Sequence, residues 1–184
     1  FETGSIPLWN PHGFCGVPFI GNPGCWAFYP LNWLFVLLPV NLSSTLLVIS
    51  HLAAGATGVY AWLRGGLRMP VWPALLGALY FTYGGKLLLH VLVPGHLGFL
   101  PLVWVPWALL AVDVLVRKGR WTEVGALATA LGLMGVSLFT QLCFYSAIFI
   151  TAYFVFRLVD CKSGWITRVV QFVCAGLLAG CLSA

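Results

Sequence analysis

Lys86 is the side chain in this sequence best placed to meet a phosphate. Eight of the nine lysines and arginines fall in three short clusters, at 64–68, 117–120 and 157–168. Lys86 stands apart from them, in the run Tyr80-Phe81-Thr82-Tyr83-Gly84-Gly85-Lys86. An ionisable group within an apolar span costs a few kcal/mol on insertion scales and faces a cavity or a partner. A phosphate or pyrophosphate contact meets that requirement, and so does a lysine that snorkels to the headgroups. His12, His90 and His96 fall on the same side of the chain as Lys86 and mark a polar region there. His51 lies inside an apolar run, where a lone histidine reads as hydrogen-bonded packing. No carboxylate cluster accompanies these histidines, so no metal site and no cofactor are expected.

The carboxylates are few. Asp113, Glu123 and Asp160 sit beside the basic clusters, where pairing or solvation accounts for them. Glu2 is the other acid, exposed near the first residue. No acid–base pair, nucleophile motif or phosphate-binding glycine loop is present, so the catalytic residue is unknown and a general base is expected outside these 184 residues. Six cysteines contain no C-x-x-C pair, which argues against zinc or dithiol chemistry. Cys143, Cys161, Cys174 and Cys181 lie in or beside apolar runs as small hydrophobes. Cys15 and Cys25 share the first loop and would pair only in an oxidising compartment.

The elements that must position these residues are membrane helices. The sequence is 61% hydrophobic and 7% charged, with mean hydropathy +0.98, whereas a soluble domain carries about 25% charged residues. Several runs reach the roughly 18 apolar residues that spanning needs. The expected fold is an all-α polytopic transmembrane bundle, in one membrane domain over 1–184. An outer loop covers 1–25, a short interfacial or re-entrant helix 26–38, and spans 43–63, 70–93, 99–116, 121–136, 140–157 and 165–184. Asn41-Leu42-Ser43-Ser44 offers capping side chains for the first span. The stretch 121–156 is too long for one crossing at 1.5 Å per residue and must fold as a hairpin with its tip near 135–141.

Topology follows from charge. The three basic clusters alternate with loops at 1–25, 91–98 and the hairpin tip, none of which carries Lys or Arg. The basic loops are therefore expected in the cytoplasm and the Pro/Trp-rich first loop outside. The net charge of +5 reflects these clusters, and no nucleic-acid partner is expected.

The first loop carries a resemblance. Pro7-Leu8-Trp9-Asn10-Pro11, Gly16-Val17-Pro18-Phe19, Asn22-Pro23 and Tyr29-Pro30-Leu31-Asn32 are similar to the first outer loop of the YfhO family, bacterial polytopic membrane proteins placed in the GT-C glycosyltransferase superfamily. His96-Leu97 with Phe99 and Trp104-Val105-Pro106 resembles that family's later outer turn. Gln141 with Phe144-Tyr145 resembles its hairpin tip, although Leu138-Phe139-Thr140 stand where Gly-His-Pro is usual, and His12 replaces a usual aromatic.

The resemblance implies transfer of a sugar from a polyprenyl-phosphate donor to an envelope acceptor, at the outer face of the bacterial cytoplasmic membrane. On it, Trp9, Asn10, His12, Lys86, His96, Gln141 and Tyr145 are the candidate substrate contacts, with the donor and membrane lipid as partners. The family's base is an acid just after the first span. The chain is thus expected to be a piece of a longer protein, with a span of about 20 apolar residues and an Asp or Glu before Phe1. The alternatives are a transporter or flippase-like protein and a non-catalytic envelope scaffold.

Cysteine-accessibility labelling tests the topology. Position 96 is expected to react from outside and position 118 only after the membrane is opened; the reverse pattern overturns the assignment.

Overall fold

The computed structural model describes residues 8–10, 16–18, 28–84, 97–136, 140–161 and 164–183. Over these the chain is an all-α helical bundle with one two-residue β-ladder. Four helices are long and apolar enough to cross a membrane: Val40–Gly66, Leu100–Lys118, Thr140–Leu158 and Trp165–Ser183. Val71–Tyr83 and Trp121–Val136 are shorter apolar helices. Large apolar side chains such as Ile49, Leu76, Phe149 and Leu177 stand exposed along the bundle, as contact with membrane lipid requires.

Strands β1 (Trp9–Asn10) and β2 (Val17–Pro18) pair antiparallel, with Trp9 opposite Pro18 and Asn10 opposite Val17. Next come a 3₁₀ turn at Pro30–Trp33 and a single α-helical turn, α1 (Leu34–Leu37). Pro30 fixes the start, while extended Leu38 and Pro39 stop the run, so no helix fills the expected 26–38. Helix α2 (Val40–Ala61) begins directly after Pro39, earlier than the Asn41–Ser44 motif suggests. Ser43 therefore lies inside the helix and does not cap it. Its buried hydroxyl donates to the carbonyls of Leu34 (2.9 Å) and Leu38 (3.2 Å), and so holds α1 against α2.

At its basic end α2 widens into one π-helical turn, Trp62–Gly66. Helix α3 (Val71–Tyr83) follows, with Pro70 at its N-cap. The expected continuation to 93, and Lys86 with it, lies outside the described residues. The next span opens as a 3₁₀ helix, Leu97–Trp104, because Pro101 lacks an amide proton and crowds the preceding turn. It becomes α4 (Val105–Lys118), where Pro106 is tolerated in the first turn. Gly119 ends α4 with φ +65°, a left-handed cap whose N–H donates to Leu115. Helices α5 (Trp121–Val136), α6 (Thr140–Leu158) and α7 (Trp165–Ser183) complete the bundle.

The span ending in α4 is the centre: it is 61% buried, against 17% for α6 and for α7. Its Val112 and Leu115 pack with Val124 and Leu127 of α5 in a dry core. Although α5 and α6 form a sequence hairpin, α5 lies mainly along α7, and α6 lies on α4. Stacked Phe154 and Phe172, with ring centroids 4.1 Å apart, join α6 to α7. Against α2, the Trp107 indole packs on Gly58 and donates to the Ala54 carbonyl at 2.9 Å. A Cβ at Gly58 would stand 2.7 Å from that indole nitrogen.

Gly58→Val should therefore expel Trp107, break its bond to Ala54, and cost about 1–3 kcal/mol in the way over-packed cores do. Thermal unfolding in detergent reads the loss; an unchanged midpoint would show that this contact does not hold α4 to α2.

Candidate functional site

The expected substrate contacts fall into three groups. His12, Lys86 and His96 lie outside the described residues. Trp9 and Asn10 form the β1 strand, with the Trp9 ring more than half exposed. Gln141 and Tyr145, one turn apart at the start of α6, are joined by a long bond of 3.4 Å from Gln141 Nε2 to Tyr145 Oη, and both are exposed. Each pair lies within a single element, close together in sequence.

The bundle builds two further polar centres from distant residues. The first is a directed chain at mid-depth. Trp104 Nε1 donates to Tyr29 Oη at 2.8 Å, and Tyr29 Oη contacts His51 Nε2 at 2.6 Å. His51 Nδ1 contacts the Leu47 carbonyl at 2.6 Å. A carbonyl only accepts, so Nδ1 carries the proton and Nε2 accepts from the Tyr29 hydroxyl. Tyr29 and His51 are fully buried, and their rings stack at 5.4 Å. His51 lies 13 residues from Arg64, and Trp104 lies 13 from Arg117. At 1.5 Å per residue the chain sits roughly 20 Å of helix from the basic end. Tyr29 thus reaches a level three turns along α2 from Val40, so the segment from Tyr29 to Pro39 folds back alongside the first half of α2.

The second centre surrounds Asp113, whose carboxylate is wholly buried in α4. Arg157 Nε donates to Oδ1 at 2.5 Å, while the Tyr153 hydroxyl (2.9 Å) and Trp62 indole N–H (3.1 Å) donate to Oδ2. Arg157 also bridges to Asp160. Arg117, one turn on from Asp113 in α4, points outward and donates to the Gly65 and Gly66 carbonyls. A cation one helix away, at the end of α6, pairs with Asp113 in its place. Trp62, which donates to this carboxylate, is the first residue of the π turn.

Sequence reasoning left this centre without a role. Its signal was an acid inside an apolar span, which by default marks a paired functional or structural site. Among the described residues no group of three or more His, Cys, Asp or Glu comes together to hold a metal ion.

No known family model, curated protein or solved structure matches this chain.

Removing one partner of a buried ion pair strands the other, at about 3–5 kcal/mol. Asp113→Ala should destabilise the bundle by that order, and so should Arg157→Met. The double variant Asp113→Leu/Arg157→Met should be less damaged than either single one, because no charge is left buried and unpaired. Unfolding titrations measure the coupling; strictly additive losses would show that the pair is not an energetic unit.

Proposed function

We propose that this chain belongs to a glycosyltransferase-like membrane protein that passes a sugar from a polyprenyl-phosphate donor to an envelope acceptor at the outer face of a bacterial cytoplasmic membrane. The observation that carries this reading is the proline-broken segment folded back along α2. Proline-broken backbone at membrane depth persists only where it is packed in protein or lines a cavity. Tyr29-Pro30-Leu31-Asn32 is such backbone, anchored by Tyr29 to His51 and Trp104 on the two central helices. It supports a groove open to the lipid, walled by aromatic rings, in which a long isoprenoid chain and its phosphate would lie. The resemblance of the first loop to the YfhO family supplies the reaction class.

In the proposed reaction the acceptor hydroxyl oxygen attacks the anomeric carbon, and the bond from that carbon to the phosphate oxygen breaks. Polyprenyl phosphate leaves with the electron pair, and the hydroxyl proton passes to a base. Lys86 is assigned to the phosphate, where its charge stabilises the leaving group. Trp9, Asn10, His12, His96, Gln141 and Tyr145 are assigned to the sugar and acceptor. Asp113, Glu123 and Asp160 are excluded as the base, since they stand at the basic end of the bundle with the cationic loops.

A transport protein also uses irregular backbone beside a pathway, and the same experiment separates the two readings. Membranes holding the chain in its natural protein are given a radiolabelled polyprenyl-phosphate sugar, and label entering the envelope fraction is counted. Lys86→Met should abolish transfer at unchanged protein abundance, and Lys86→Arg should keep part of it. A fully active Met variant removes Lys86 from the site. Label that crosses the membrane still attached to its donor identifies a transporter.

A further inference from the structure

We propose that the basic end of the bundle is a docking surface for anionic phospholipid headgroups, formed jointly by three loops. The proposal does not depend on the transferase reading.

Hydrogen bonds bring the three loops together. Arg117 donates to the Gly65 carbonyl (2.7 Å) and the Gly66 carbonyl (3.3 Å), tying the 117–120 loop to the 64–68 loop. Arg168 Nε donates to the Val116 carbonyl at 3.2 Å, and Gln171 Nε2 to the Gly119 carbonyl at 2.9 Å, which ties the start of α7 to the same place. Seven cations and three acids lie at this end among the described residues, an excess of four positive charges. Two of those acids, Asp113 and Asp160, are already engaged by Arg157.

The cations divide by role. Arg64, Arg117, Arg157 and Arg168 are spent on carbonyls and carboxylates within the fold. Arg68, Lys118 and Arg120 are exposed and make no side-chain hydrogen bond or ion pair among the described residues. Arg68 is held outward by a fixed loop. Its φ is +57°, a left-handed conformation that is costly for any residue other than glycine. The loop is over-determined by Met69 N–H to Leu63, Leu67 N–H to Trp62, and Arg64 to the Met69 carbonyl.

The chemistry around these cations selects a lipid. Trp72, Trp121 and Trp165 open α3, α5 and α7 at this end, and each ring is more than half exposed. Exposed indoles at the first turn of spanning helices sit at headgroup level. A cation beside such a ring meets a lipid phosphate while the ring lies among glycerol and upper acyl groups. A nucleic acid or acidic peptide would leave neighbouring Val71 and Ile166 in water. Each Lys or Arg near an anionic leaflet adds roughly 1 kcal/mol of attraction, a factor of about 5 per cation by the affinity relation.

The test uses the purified chain in nanodiscs of equal phosphatidylglycerol and phosphatidylcholine content. After transfer to detergent, the phospholipids retained by the protein are counted by native mass spectrometry. The expected result is enrichment of phosphatidylglycerol by at least the roughly fivefold that one cation supplies, falling steeply as salt rises from about 0.1 to 1 M. The triple variant Arg68→Gln/Lys118→Gln/Arg120→Gln should return the ratio toward one. Arg68→Lys/Arg120→Lys should keep the enrichment, which separates lost charge from lost folding. Equal retention of the two lipids by the unaltered chain overturns the proposal even if the triple variant does not fold. So does enrichment unmoved in a folded triple variant. If inorganic phosphate at millimolar concentration displaces the retained lipid completely, the site is for free phosphate and the lipid assignment fails.

Discussion

The buried carboxylate of Asp113 is the constraint around which the basic half of the bundle is arranged. A charge taken out of water is tolerated only when its lone pairs are met by donors in good geometry. Meeting them fixes three things at once. Arg157 must stand at the last turn of α6, Tyr153 one turn earlier on the same face, and Trp62 within reach just past the end of α2. The π turn of α2 begins at Trp62, one of the donors that complete that shell. In this way one acid positions α2, α4 and α6.

The same end solves a second problem. Helix termini leave carbonyls without partners, and here the next element's side chains supply them. Arg117 serves the π turn, and Arg168 and Gln171 serve the end of α4. Positive charge is favourable at helix C-termini, so the cations of the basic loops also close the bundle. Gln171 is only half satisfied: its Oε1 is buried without a partner among the described residues, while its Nε2 is committed to Gly119. Those cations left over, Arg68, Lys118 and Arg120, face outward with the tryptophans.

Deeper in the bundle the logic is uncharged. Trp104, Tyr29, His51 and the Leu47 carbonyl form a chain in which each donor meets one acceptor in sequence. A short proline-bounded segment is thereby sewn into the two central helices at a depth where unsatisfied backbone is expensive. Ser43 adds a second stitch through Leu34 and Leu38.

By itself the sequence determined the all-α character and the membrane-spanning helices, because apolar run length and the scarcity of charge allow no other way to satisfy the backbone. The clustering of Lys and Arg in alternate loops is equally visible, and the structure collects the described members of those loops at one end. The break at Pro39 was legible, because proline forces it, whereas the left-handed cap at Gly119 emerges only in the structure. Partnerships were not legible. Asp113 has Arg117 four residues away, yet it pairs with Arg157, which is 44 residues away, because helix rotation and inter-helix distance decide which cation reaches it. That α5 packs on α7 more than on its hairpin partner α6, and that Tyr29 finds His51, are likewise decided by side-chain packing across helices. Spacing along one chain carries no record of those contacts, because they exist only once several helices have chosen their faces together.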